Sequence, residues 1–338
     1  RYTVPLALVL VLLSGIGPVI AWRRATLANA RRNFALPLAA AALMAIAAYT
    51  IVPIGSSVPT VILFCGSIFV ITGIGQEFWR GIRARRAMSH ESPPRALLSM
   101  VRRNRRRYGG YIVHVGIAVL FIGVAASSTF QHEQTLALRP GQSAHVGAYM
   151  MRYVRSTGTI STDPSHTGAT MTLGAVLRVS RGGHYVTTLD PKAGFYPEVS
   201  DVPGQAVTSL INGQGVSLVA LHSSLRRDLW AAVNFSGATL PEQSLVTKAD
   251  SLDPPTIPGN AQVLLAYKLL GAIETHYVHY PPVLQFTLLA SPLVTWIWLG
   301  GLIVLLGGVV AIWPPPAAMR GRVRARYLAR IAQELGRA

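Results

Sequence analysis

The chain has 338 residues, of which 51% are hydrophobic and 13% charged, against about a quarter charged in soluble domains. That balance excludes an ordinary water-soluble globule, and the single cysteine, Cys65, excludes an internal disulfide or a dithiol pair. The net charge of +18 would suggest nucleic acid only if it formed one basic face with base-reading residues, and it does not.

Taken in chain order, five segments are predicted to cross a membrane, which needs roughly 20 apolar helical residues. They are Val4–Trp22, Leu36–Ile54, Val58–Phe78, Tyr111–Phe130 and Leu293–Trp313. Between Thr129 and Leu288 ten Lys/Arg are matched by ten Asp/Glu, so the basic excess falls in Arg23–Arg32, Arg80–Arg107 and Arg320–Arg337. Loops rich in Lys/Arg stay cytoplasmic. The first helix therefore starts outside, the second and third form a hairpin, and the fourth leads to a neutral outer region that the fifth leaves.

The expected fold is thus a polytopic α-helical membrane protein with five transmembrane helices and an extracytoplasmic, mainly antiparallel β-domain. Residues 1–79 would hold helices one to three, 80–108 a basic cytoplasmic loop and 109–130 helix four. The β-domain would occupy 131–291, helix five 292–313 and a basic cytoplasmic tail 314–338.

Within the β-domain, short alternating stretches broken by Gly, Pro, Asn and Asp predict strands over Tyr149–Val154, Ala169–Val179, Tyr185–Leu189, Val216–Leu221, Leu229–Phe235, Gln262–Leu270 and Val283–Leu289. Turns are expected at Arg139-Pro140-Gly141, Arg181-Gly182-Gly183, Val202-Pro203-Gly204 and Asn212-Gly213-Gln214-Gly215. The proline-rich stretch Leu240–Asn260 reads as a loop or insertion.

No CxxC, CxxCH, P-loop, GxSxG or HExxH motif occurs, which removes the common hydrolase and nucleotide chemistries. His114 is the one ionisable residue in the fourth span. A charged side chain at that depth costs about 2.5 kcal/mol or more, so the imidazole is expected to be neutral and to face a partner. Two roles suit it: a hydrogen bond across to another helix, or axial ligation of a flat macrocycle such as haem. Nearby Gly109, Gly116 and Gly123, repeating every seven residues, form a smooth stripe. Elsewhere, His276 and His279 would point to opposite faces of a strand, a poor metal pair. His90, His132, His145, His166, His184 and His222 read as loop, turn or surface residues. Glu77, at the end of the third span, reads as an interfacial ion pair with aromatic anchors, and Trp296, Trp298 and Trp313 as anchors of the fifth.

Several stretches together resemble the later part of the CcmF family, the membrane haem lyase subunit of the cytochrome c maturation system. They are Gly15-Ile16-Gly17-Pro18 with Trp22-Arg23-Arg24, Glu77-Phe78-Trp79-Arg80-Gly81-Ile82-Arg83-Ala84-Arg85 and Tyr108-Gly109-Gly110-Tyr111-Ile112-Val113-His114-Val115-Gly116. Beyond the β-region come Arg227-Asp228-Leu229-Trp230 and Ser291-Pro292-Leu293-Val294-Thr295-Trp296-Ile297-Trp298.

The resemblance implies that His114 is one axial ligand of a membrane haem b, so that His114 is also the metal ligand, to the haem iron. The second ligand would come from a missing region or another chain, because the family's other haem-handling motifs lie in an earlier region. It implies a bacterial cytoplasmic (inner) membrane protein whose β-domain lies on the periplasmic side. Its partners would be the missing N-terminal haem-handling half, a haem chaperone, apocytochrome c and its thiol-presenting partner, haem, and the lipid bilayer, with no nucleic acid. The reaction implied is thioether attachment of haem to CxxCH thiols, and this portion of a haem lyase is not expected to be active alone. A chain that starts at Arg1 is read as a fragment or the product of a divided gene. The alternative class is a non-enzymatic membrane scaffold tethering a partner-binding β-domain; a permease would need polar or broken helices along a path, which these spans do not supply.

Overall fold

The computed structural model describes residues 27–51, 58–161, 171–196, 215–235 and 259–314, with isolated positions 331 and 333. Among the described residues six helices are defined: α1 (Leu27–Ile51), α2 (Val58–Ser89), α3 (Pro93–Arg103), α4 (Arg105–Thr129), α5 (Gly259–His279) and α6 (Val294–Ile312). The ten strands are β1 (His132–Leu138), β2 (Ser143–Val146), β3 (Tyr149–Ile160), β4 (Met171–Arg181), β5 (His184–Leu189), β6 (Lys192–Phe195), β7 (Gly215–Leu218), β8 (Ala220–His222), β9 (Arg227–Asn234) and β10 (Leu284–Pro292). The chain divides into two compact units, Arg1–Thr129 with Leu293–Ala338, and Phe130–Pro292.

In the first unit α1, α2, α4 and α6 are long and apolar enough to cross a membrane. The predicted span Val4–Trp22, the turns at 202–204 and 212–214, His166 and most of Leu240–Asn260 lie outside the described residues. α2 runs eleven residues past Phe78, and the stretch expected as loop holds its last turns, the whole of α3 and the start of α4. The Ala/Arg-rich sequence after Gly81 sustains helix well, and Pro93 with Pro94 begins a new one. Glu91 joins the two: it accepts from Arg85 at 3.0 and 3.3 Å and from the Ser99 hydroxyl at 2.9 Å.

α4 and α6 pack antiparallel through glycine. A Cβ placed on Gly109, Gly116 or Gly123 would stand 2.6, 2.6 or 2.9 Å from atoms of Ala311, Val304 or Ile297. From the other side, a Cβ on Gly300 or Gly307 would meet the backbone nitrogens of Leu120 at 2.5 Å and Val113 at 2.7 Å. Both helices thus carry glycine at seven-residue spacing, and the backbones approach too closely for any side chain.

The second unit contains two antiparallel sheets, one ordered β1-β10-β9-β8 and one β2-β3-β4-β6-β7 with β5 also paired to β4. Alternation puts Leu284, Phe286, Leu288 and Ala290 of β10 fully inside. They share one core with Met151 and Tyr153 of β3 and Leu173, Ala175, Leu177 and Val179 of β4. The Tyr153 ring meets the edge of Phe286 at 5.3 Å. The β4–β5 turn has φ of +56° at Gly182 and +82° at Gly183, a backbone that glycine adopts without steric cost.

One predicted strand is wrong: Gln262–Leu270 lies inside the helix α5. Leu270, Ile273 and Tyr277 recur with helical spacing and are buried against the sheets, and the Tyr277 hydroxyl donates to the Gly174 carbonyl at 2.9 Å. Val216–Leu221 is not one strand but two, β7 and β8, which belong to different sheets.

Candidate functional site

His114 sits in the middle of α4. At 3.6 residues per turn it lies roughly 150° round the helix from the Gly109–Gly116–Gly123 stripe. That stripe is filled by α6, so it is no bed for a macrocycle, and the seven-residue repeat serves helix packing instead. The face that carries His114 is built differently. One turn before it is Gly110, where an added Cβ would meet nothing within 4 Å among the described residues. Tyr111 and Ala118, three residues before and four after, are buried.

The His114 ring is half-buried, and its Nδ1 is enclosed with no hydrogen-bond partner among the described residues. The cross-helix hydrogen bond that would make this a packing histidine is therefore not supplied by the described residues. A neutral imidazole carries one donor and one acceptor. Such a ring beside open space at Gly110 fits one axial side of a haem, whose iron takes an imidazole nitrogen. The Ser67 hydroxyl of α2 is the other enclosed polar atom without a partner among the described residues.

Toward the basic end, Glu77 accepts from Arg107 at 2.8 Å and lies 3.5 Å from Arg80, which in turn donates to Asn33 of α1 at 2.6 Å. Arg107 also donates to the Tyr111 hydroxyl at 2.8 Å and lies over the Tyr111 ring at 5.4 Å. The Phe78 ring meets Tyr108 at a tilt, at 5.2 Å, and Tyr111 edge-on, at 6.2 Å. Glu77 thus ties α1, α2 and α4 together as an ion-pair and aromatic cluster. At the opposite end the Thr60 and Thr129 hydroxyls meet at 2.9 Å. Trp298 on α6 and Trp313, which caps the end of that helix, are exposed.

The remaining histidines gather no ligand set. Because α5 is a helix, His276 and His279 share one face rather than opposing ones. The His276 ring lies tilted against Tyr280 at 4.9 Å, while His279 Nδ1 lies 2.9 Å from the Thr275 carbonyl. His132, His145 and His184 are exposed, but on strands rather than loops, and His222 ends β8. No group of three His, Cys, Asp or Glu able to hold a metal occurs among the described residues.

Sequence reasoning overlooked two features. Asp228 is buried at the start of β9 and accepts from the Ser223 hydroxyl at 3.3 Å and the Ser224 amide at 3.2 Å, closing the turn from β8. Its signal was an acid between two Ser-rich turn positions and a strand. The helix α3 was signalled by Ser92-Pro93-Pro94 followed by apolar residues at positions 96, 97, 100 and 101.

Four helices long and apolar enough to cross a membrane, together with a two-sheet antiparallel β-domain, define the class of fold: a membrane protein with a separate β-domain. The particular resemblance is to CcmF. The chain is 22% identical over 302 residues to the cytochrome c-type biogenesis protein CcmF of Haemophilus influenzae, covering 89% of this chain and 36% of that protein. To CcmF of Pseudomonas aeruginosa it is 24% identical over 69% of this chain and 25% of that protein. A solved structure described as cytochrome c haem lyase CcmF matches the fold with a TM-score of 0.58 at 19% identity, over 92% of this chain and 39% of that one. The match spans between a quarter and two-fifths of the length of these relatives, consistent with the C-terminal portion of such a protein. No family model matches it.

Proposed function

We propose that this chain is the C-terminal part of a cytochrome c biogenesis haem lyase of the bacterial inner membrane. In this reading five helices span the membrane and the β-domain stands on the periplasmic side. His114 offers one ring nitrogen as an axial ligand of haem b, and the second ligand comes from a region or chain not contained here. When bound, haem b would supply a redox centre inside the membrane, and thioether attachment to apocytochrome c would take place outside it.

The observation that carries the reading is His114 itself: an imidazole held among apolar helices, with an enclosed Nδ1 lacking a described partner, at a position matching the family's motif. The chain's own contribution is positioning. The glycine contact with α6 fixes α4, and the Arg107–Glu77 pair secures α4 to α2 at the end nearer His114. A neutral ring is what ligation requires, and the apolar surroundings favour it. The Nδ1 partner, wherever it comes from, sets the tautomer. The β-domain would dock the haem chaperone and apocytochrome c.

A pyridine haemochrome assay on the chain purified from membranes with its complementary region tests this. Wild type is expected to retain haem b and His114→Ala to lose most of it. Equal haem in both would remove His114 as a ligand and favour a scaffold.

A further inference from the structure

At the basic end of the helical unit, α3 uses only part of its apolar surface inside the protein. Ala96 and Met100 are buried, with Met100 packed over Gly81 near the Tyr108 hydroxyl. Leu97 and Leu98 remain exposed, at 37% and 58%. The other side of the helix carries Arg95, Arg102 and Arg103. A short helix with an uncovered apolar stripe beside guanidinium groups is suited to the plane where lipid headgroups meet acyl chains.

Where α3, the start of α4 and the end of α6 meet lies a groove of about 200 Å³. Its floor is Leu98, Val101, Val309 and Trp313, and its rim is Arg102 and Arg105. It is smaller than the roughly 300–1,000 Å³ of a drug-sized pocket, so it accepts a length of chain rather than a whole small molecule. The floor continues into the exposed flank of α6, where Leu305, Leu306 and Val309 are uncovered. Arg105 is held in place by donating to the Pro314 carbonyl at 2.6 Å and the Arg102 carbonyl at 3.2 Å, which leaves further guanidinium N–H groups for another acceptor.

Charge decides the occupant. Between Ser92 and Arg106 there are five arginines and no acid. The nearest carboxylate in sequence, Glu91, is already held below the usual carboxylate range by its hydrogen bonds from Arg85 and Ser99. An anion for this rim must therefore come from outside the local sequence, and the apolar floor selects one that carries a hydrocarbon chain. We propose that the groove binds one anionic glycerophospholipid, with an acyl chain on Leu98, Val101, Val309 and Trp313 and the phosphate on Arg102 and Arg105. The site rests on the membrane-spanning reading of α2, α4 and α6, and is independent of the haem assignment.

Native mass spectrometry of the purified full chain, delipidated and returned to equal amounts of phosphatidylglycerol and phosphatidylcholine, reads the site directly. Wild type is expected to retain phosphatidylglycerol at least about fivefold over phosphatidylcholine, and Arg102→Gln to lower that retention about fivefold. Val309→Trp, which fills the groove and leaves every arginine, should lower phosphatidylglycerol retention as well. Equal retention of the two lipids by wild type would overturn the site, as would wild-type retention in either variant. Displacement by excess inorganic phosphate would reveal a bare anion site and overturn the lipid assignment. Haem content stays unchanged in both variants if the two proposals are separate.

Discussion

The α4–α6 contact and the core of the β-domain bury opposite kinds of residue. On α4 and α6 the enclosed positions are largely Gly109, Gly116, Gly123, Gly300, Gly307, Ala118, Ala125 and Ala126, while Leu302, Leu305, Leu306 and Ile312 are left outside. In the β-domain the largest enclosed positions include Tyr153, Phe286, Tyr277, Met151 and Leu177, and its sequence carries equal numbers of charges of each sign. Water drives large apolar groups inward. Lipid tails offer no such drive between helices, so association rests on close backbone contact, which glycine permits. One chain thus follows two packing rules, and the boundary falls within a residue or two of Phe130 and Pro292.

The largest test of this contrast is Phe286→Ala, which empties the centre of the β-core and should cost about 3–5 kcal/mol, seen as a lowered unfolding midpoint for the β-domain. A cost under about 1 kcal/mol would mean that the two sheets do not share this core. Next comes Gly116→Val, for which a loss of about 1–3 kcal/mol is expected in the thermal unfolding of the detergent-solubilised helical unit. Gly308→Val, where nothing lies within 4 Å among the described residues, should be neutral. Equal effects from the two would break the account of glycine packing.

A smaller effect concerns pH. Burial pushes the Tyr153 phenol above its ordinary range, partly offset by its 2.7 Å hydrogen bond with Ser156. The folded domain therefore favours the neutral ring. Its contribution is fully present below about pH 10 and declines as pH rises through the folded-state value, because the unfolded chain ionises first. Tyr153→Phe should flatten that alkaline decline, at a cost of about 1 kcal/mol at neutral pH for the lost hydrogen bond. An unchanged slope would place the responsible group elsewhere.

How much of this was legible depended on the solvent of each segment. An apolar run near 20 residues has few interpretations, so the helices around Leu36–Ile54, Val58–Phe78, Tyr111–Phe130 and Leu293–Trp313 could be read directly. In the β-domain, turn chemistry located Arg139-Pro140-Gly141, where Gln142 donates to the Arg139 carbonyl at 3.0 Å, and the Gly182-Gly183 hairpin. α5 was misread because Val263, Leu264, Leu265 and Ala266 form a short apolar run, which fits a buried strand or helix alike. The spacing of Leu270, Ile273 and Tyr277 carried the helical signal just beyond it. His114 stood out as an ionisable residue in an apolar span, whereas the purpose of the glycine stripe required the facing residues of α6, which no local pattern supplies.

The most direct measurement is the reduced-minus-oxidised spectrum of the chain purified with its complementary region, comparing wild type with His114→Gly before and after adding imidazole. The account predicts a b-type difference band in wild type, its loss in His114→Gly and its partial return with imidazole. A full band in untreated His114→Gly would contradict the assignment of this residue as a haem ligand.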